Sequence, residues 1–116
     1  MLYVFKWYFI FHFKLKKIEL EYKNQIIGTQ INNIYKDKNN DVWLGTTHGV
    51  KVLKADGSTQ KFTTENDANT RIVLNSVGAI TGDALGRIWI GSAGGINIWD
   101  PKTEKMHTIT ATFDKG

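Results

Sequence analysis

The chain has 116 residues, a length suited to one domain, with 15 Lys and Arg against 11 Asp and Glu. It has no Cys, which excludes a disulfide framework and any Cys-based zinc site. The formal excess of +4 falls on Lys6, Lys14, Lys16 and Lys17, all ahead of the first acid at Glu19; the body is electroneutral and lacks the basic stripe of a nucleic-acid binder, so no nucleic acid is expected as a partner.

Residues 1–25 form a segment of their own. Its first 13 residues, Met1 to Phe13, hold half of the aromatics in the chain. A spanning helix needs about 20 apolar residues, and this run is shorter and has Lys6 inside it. A secretory signal has its positive charge before the apolar run and a small-residue cleavage site after it; here the lysines follow the run and no such site appears. Three readings stay open: a truncated membrane anchor, a remnant strand pair in which Ile18, Leu20 and Tyr22 alternate with charged residues, and non-native sequence from a broken reading frame.

From residue 26 onward the sequence is organised by an internal repeat. Ile34, Asp37, Trp43, Gly45 and Gly49 recur 46 positions later as Ile80, Asp83, Trp89, Gly91 and Gly95. Between them Val42, Leu44, Thr46, Val50 and Val52 recur as Ile88, Ile90, Ser92, Ile96 and Ile98, with no gap. In chain order, Ile31–Lys36 is predicted as a strand and 37–40 as a turn. In that turn the Asp37 carboxylate bonds backbone two residues on, and Asn40 takes a positive φ, as Gly86 does in the second copy. Val42–Thr46 follows as a strand rich in β-branched and aromatic residues. Thr47-His48-Gly49 makes a tight connection into a third strand at Val50–Lys54. Asp56-Gly57 is a hairpin signal into a fourth at Gln60–Thr63, and Asp100 to Thr103 serves the same purpose before Lys105–Thr110. Residues 65–76 cross from one unit to the next. The predicted fold is therefore all-β: two four-stranded antiparallel blades of an incomplete β-propeller, at residues 26–70 and 71–113.

At the positions Asp83-x-x-Gly86-x-Ile88-Trp89-Ile90-Gly91-Ser92, Gly95-Ile96 and Trp99-Asp100, the sequence resembles the two-component regulator propeller repeat. The first copy fits as Asp37-x-x-Asn40-x-Val42-Trp43-Leu44-Gly45-Thr46 and Gly49-Val50. Asn40 for Gly, Ser92 for Thr and Leu53-Lys54 for the closing pair depart from the family pattern. The resemblance implies a non-catalytic segment of the periplasmic sensor of a hybrid histidine kinase. Members of that family often respond to oligosaccharides, which makes an oligosaccharide the candidate ligand; further blades of a parent protein or self-association with other copies of this chain are the expected neighbours, with membrane attachment only through a parent protein or the N-terminal segment. An interaction scaffold and a propeller-based enzyme are the alternatives. A WD repeat is disfavoured: Trp99-Asp100 matches its closing pair, but the opening Gly-His is absent.

The expected structural residues are Asp37, Trp43, Gly45, Gly49, Asp83, Trp89, Gly91 and Gly95. Both tryptophans are read as packing between blades rather than stacking on sugar, with Gly45 and Gly91 leaving room for the adjoining blade. Ligand contacts, if the sensor reading holds, are expected from Thr47, His48, Ala93 and Gly94, in the tight connections where binding residues of such folds gather. His12 and His107 lack metal-ligand spacing, and no motif asks for a cofactor or catalytic residue.

Overall fold

The structure is a computed structural model and describes residues 30–110. The N-terminal segment at 1–25 and the first and last few residues of the two expected blades lie outside the described residues. Eight strands follow in order: β1 (Ile31–Lys36), β2 (Val42–Thr46), β3 (Gly49–Leu53), β4 (Thr59–Phe62), β5 (Val77–Gly82), β6 (Ile88–Ser92), β7 (Gly95–Asp100) and β8 (Lys105–Thr110). They form two four-stranded antiparallel sheets, β1-β2-β3-β4 and β5-β6-β7-β8, each strand hydrogen-bonded to the next in sequence. There is no helix among the described residues. The chain is two propeller blades. β3 and β4 each begin one residue earlier than the sequence pattern places them, because Gly49 pairs with Thr46 and Thr59 with Leu53 at the ends of their ladders.

Alternation along the strands gives each sheet two faces. In the first sheet one face carries Trp43, Val50, Val52 and Phe62, and the other carries Leu44 and Leu53 with Ile34 and Val42 beside them. The Trp43 face meets Ile80, Ile88, Ile90, Trp99 and Met106 of the second sheet in one core cluster. Within it the Phe62 ring stacks on Trp43, with centroids 5.8 Å apart, and tilts against Trp99 at 4.8 Å. Burying aliphatic side chains of this size stabilises by about 1.5–3 kcal/mol each. The joint between the sheets is therefore the main energetic asset of the fold.

Gly45 is one place where the two sheets come close. It lies between Trp43 and the tight connection, and a Cβ there would stand 3.0 Å from Val77 Cγ1 and 3.3 Å from Ile80 Cδ1. The missing side chain lets β5 lie against β1 and β2. Beside this contact the bulged start of β1 reaches across. Asn32 Nδ2 donates to the Val77 carbonyl at 3.0 Å, and the Ile80 N–H donates to Asn33 Oδ1 at 3.3 Å.

The crossing segment from Thr63 to Ser76 has no regular ladder, so its backbone groups find partners elsewhere. Asn66 Oδ1 accepts from Thr63 N–H, and Asn75 Oδ1 accepts from Thr64 N–H. The Val73 N–H donates to the side chain of buried Asn97, whose amide in turn donates to Thr108 at 2.8 Å. Ile72, fully enclosed, anchors the segment in the core.

The turns behave as the sequence asks. Asn40 has φ 65° and Gly86 φ 80°, the left-handed conformation shared by the two copies. The outer hairpins differ by one residue: Leu53 pairs with Thr59, whereas its counterpart Trp99 pairs with Met106. The repeat is thus 46 residues for the first three strands and 47 for the fourth. Gly57 (φ 92°) and Glu104 (φ 54°) then occupy the same left-handed position.

Two outcomes follow. Gly45→Val should destabilise the chain by about 1–3 kcal/mol through overpacking against Val77 and Ile80, as measured by urea unfolding. Gly91→Val at the equivalent place should cost less than about 0.5 kcal/mol, because only Ala79 lies within 4 Å of the added Cβ. Separately, Glu104→Gly should raise stability by about 0.5–1 kcal/mol, the left-handed penalty removed exceeding the entropy lost to glycine.

Candidate functional site

Each sheet has a polar end built round one carboxylate. Asp37 Oδ1 accepts from the N–H groups of Asn39 (2.9 Å) and Asp41 (3.0 Å), closing the turn, while Oδ2 accepts from the Trp43 indole N–H at 2.9 Å. Asp83 repeats this with Leu85 N–H, Arg87 N–H and the Trp89 indole, each at 2.9 Å. The second copy adds Arg87 Nε at 2.7 Å from Asp83 Oδ2, and the guanidinium also lies over the Trp89 ring, 5.9 Å from its centroid. The hydrogen bond from Trp89, then those from Arg87 and Leu85, hold the Asp83 carboxyl far below its usual value. In the first copy Asp41 stands where Arg87 does. It accepts from Ala55 N–H at 2.9 Å and pairs with Lys54 at 3.5 Å, tying the turn to the outer hairpin.

A cleft of about 270 Å³ opens between the sheets at this end, lined among others by Tyr35, Lys38, Asp41, Gly82, Leu85 and Trp99. Its polar groups are largely committed: Lys38 Nζ donates across it to the Ala84 carbonyl at 3.2 Å, and Asp37, Asp41 and Asp83 hold the bonds just described. The Tyr35 ring rests directly on Gly82, where any side chain would collide with it.

The tight connections lie at the opposite end of the strands. Thr46 Oγ1 donates to the Gly49 carbonyl at 2.7 Å and accepts from His48 N–H at 3.0 Å, so one hydroxyl bridges the connection. Ser92 does the same between the Gly95 carbonyl and Gly94 N–H, at 3.4 and 3.3 Å. The Ser-for-Thr exchange keeps the hydroxyl the geometry needs. Gly49 and Gly95 open β3 and β7 at φ 103° and 139°, with a backbone carbonyl of the outer strand in the space a Cβ would take. His48 is exposed, its Nδ1 3.0 Å from the Thr47 hydroxyl. Ala93 is exposed and Gly94 half-buried. Gly94 has a packing reason to lack a side chain: Leu74 of the crossing segment lies 2.9 Å from where its Cβ would be. The structure therefore places Thr47-His48 and Ala93-Gly94 at corresponding corners of adjacent blades, away from the cleft. Among the described residues no group of His, Asp or Glu is arranged to hold a metal ion.

The two expected packing tryptophans part company. Trp43 is buried in the joint, as its pattern asks, whereas Trp89 is half-buried on the far face of the second sheet, with no third sheet against it among the described residues. Gly45 receives its neighbour and Gly91 does not. Sequence reasoning missed the carboxylate-to-indole bond, although the identical Asp-to-Trp spacing of six in both copies was the signal for it. It also missed the cleft, whose walls come from residues far apart in sequence.

Residues 25–48 match the family model of the two component regulator propeller. The chain is similar to that family. The match takes in the Asp37 turn, the Trp43 strand and the Thr47-His48 connection, and ends one residue before β3 of the same blade. The second blade, outside the matched residues, repeats the first at Asp83, Trp89 and Gly91, which correspond to Asp37, Trp43 and Gly45. No curated protein matches the chain.

Because the folded-state pKa of Asp83 is depressed, the stability it contributes is complete above the ordinary carboxylate value near 3.8 and is lost as pH falls from there toward the folded value. Asp83→Asn should flatten the fall in urea midpoint between pH 5 and pH 2.5 relative to the parent. It should also lower the midpoint at pH 7. Asp37→Ala, which strands a buried indole N–H and two turn N–H groups, should destabilise by about 2–4 kcal/mol at neutral pH.

Proposed function

We propose that the chain is a ligand-sensing, non-catalytic propeller segment of a two-component sensor, with an oligosaccharide as ligand, on the periplasmic side of a bacterial inner membrane. The observation that carries this reading is the two component regulator propeller match over residues 25–48, on a blade whose turn and connection devices recur in the second blade. Ligand contacts fall to Thr47, His48, Ala93 and Gly94. Two features support that placement over the cleft. The cleft's carboxylates and Lys38 are already bonded across or within the fold, whereas the exposed His48 imidazole, its Nδ1 bonded to the half-buried Thr47 hydroxyl beside it, sits on a connection held rigid by Thr46. A rigid corner presenting one imidazole and one hydroxyl suits the scattered hydroxyls of a sugar, which are bound by hydrogen bonds of fixed direction.

The test is an NMR titration of the full chain with a panel of glycan fragments. Amide shifts clustered at Thr47, His48, Ala93 and Gly94 are expected. Shifts confined to the Asp37 and Asp83 turns would overturn the placement, and the absence of shifts with every member would overturn the ligand class.

A further inference from the structure

One of the three tryptophans among the described residues differs from the other two. Trp43 and Trp89 each give their indole N–H to the carboxylate six residues earlier. Trp99 is buried at 6% exposure, yet its indole N–H has no hydrogen-bond partner in the chain. No side-chain nitrogen or oxygen of the described residues is both sealed from solvent and unbonded, so this N–H keeps an opening. The opening that Trp99 lines is the cleft between the sheets. Tyr35, which lines the same cleft from the first sheet, is in the same state: its hydroxyl stands over Gly82 and bonds nothing. An indole can only donate, and a phenol donates readily, so the unmet need inside the cleft is for an acceptor.

We propose that this cleft binds a small aromatic carboxylate. The ring lies against Tyr35 and the apolar wall formed by Ile88, Leu85 and Pro101, and the carboxylate accepts from the Trp99 indole and the Lys38 ammonium. The charge of the ligand follows from how the charges of the cleft are already spent. Asp83 is answered by Arg87, Asp41 by Lys54, and Asp37 by three N–H groups. Lys38 has no carboxylate: its ammonium reaches across to the Ala84 carbonyl, a neutral acceptor, at 3.2 Å. A ligand carboxylate displaces that carbonyl because a charge-assisted bond is the stronger one. The size follows from the volume: about 270 Å³ holds a ring and one substituent, not a chain of sugars. A sugar is also a poor fit in kind, since its hydroxyls must donate as well as accept and the carboxylates here are taken up by the chain. The site lies at the opposite end of the strands from Thr47 and His48, takes a different class of ligand, and is independent of the sensor reading.

The chain has four tryptophans, so its indole N–H signals are few and can be followed one by one by NMR. The full chain would be titrated with benzoate, with its neutral isostere benzamide, and with glucuronate. Benzoate should move the Trp99 indole signal saturably and leave those of Trp43 and Trp89 in place. Benzamide should bind at least about tenfold more weakly, the difference a bond to a charged partner makes. Lys38→Met should weaken benzoate by at least about tenfold and benzamide by less than about twofold. Unmoved Trp43 and Trp89 signals in that variant show that its fold is kept. Failure of the Trp99 signal to saturate below about 20 mM benzoate would overturn the proposal. Equal affinity for benzoate and benzamide would overturn the anionic class, and glucuronate matching benzoate would overturn the aromatic one. Benzoate shifts at the Thr47 and His48 amides with Trp99 unmoved would overturn the place.

Discussion

One carboxylate per sheet sets the geometry on which the rest depends. Asp37 and Asp83 each bond two N–H groups of their own turn with one oxygen and the indole N–H six residues on with the other. The turn fixes where the second strand begins, and the indole bond fixes the rotamer of the Trp that the strand delivers. A ring free to rotate would not leave a defined slot for the neighbouring sheet. With the ring held, Phe62 stacks on Trp43 and the glycine two residues on from Trp43 admits Val77. Local turn chemistry and long-range packing are therefore one device, and it is printed twice.

The two sheets are chemically similar but not equivalent in their surroundings. One tryptophan is enclosed by the neighbouring sheet; the other is covered in part by an arginine that belongs to its own turn. Arg87 bonds the carboxylate and lies over the ring, an arrangement open to solvent and easily rearranged. Its counterpart Asp41 is buried and ties the turn to the outer hairpin instead. Similar backbones thus carry different polar trim according to what lies against them.

Much of the architecture was legible because each repeat states it twice. Asn40 against Gly86 told of a left-handed residue, and the recurrence of Trp with Gly two residues on told of a packed strand with a notch. Strand boundaries at Thr59 and Gly49 were off by one because pairing, not residue type, ends a ladder. What could not be seen was anything made by two segments at once. The cleft takes walls from both turns, and the Leu74 contact that explains Gly94 comes from a crossing segment without a repeat partner among the described residues. Likewise, nothing in the residue types of Trp43 and Trp89 distinguishes a covered face from an open one.

The extra residue in the second outer hairpin shows how such a repeat keeps its bearings. In a strand a shift of one position exchanges the two sides, so an uncompensated insertion would turn Ile109 away from Ile98 and Trp89. The turn before Lys105 absorbs the added residue, with Glu104 N–H donating to the Asp100 carbonyl at 2.8 Å. β8 then pairs so that Ile96 meets Ile109, as Val50 meets Phe62. Parity is conserved where length is not. Each blade finds its sidedness from the strand beside it rather than by counting from its start. The outermost hairpin is therefore the place where copies can drift in length without losing the face they present to the next.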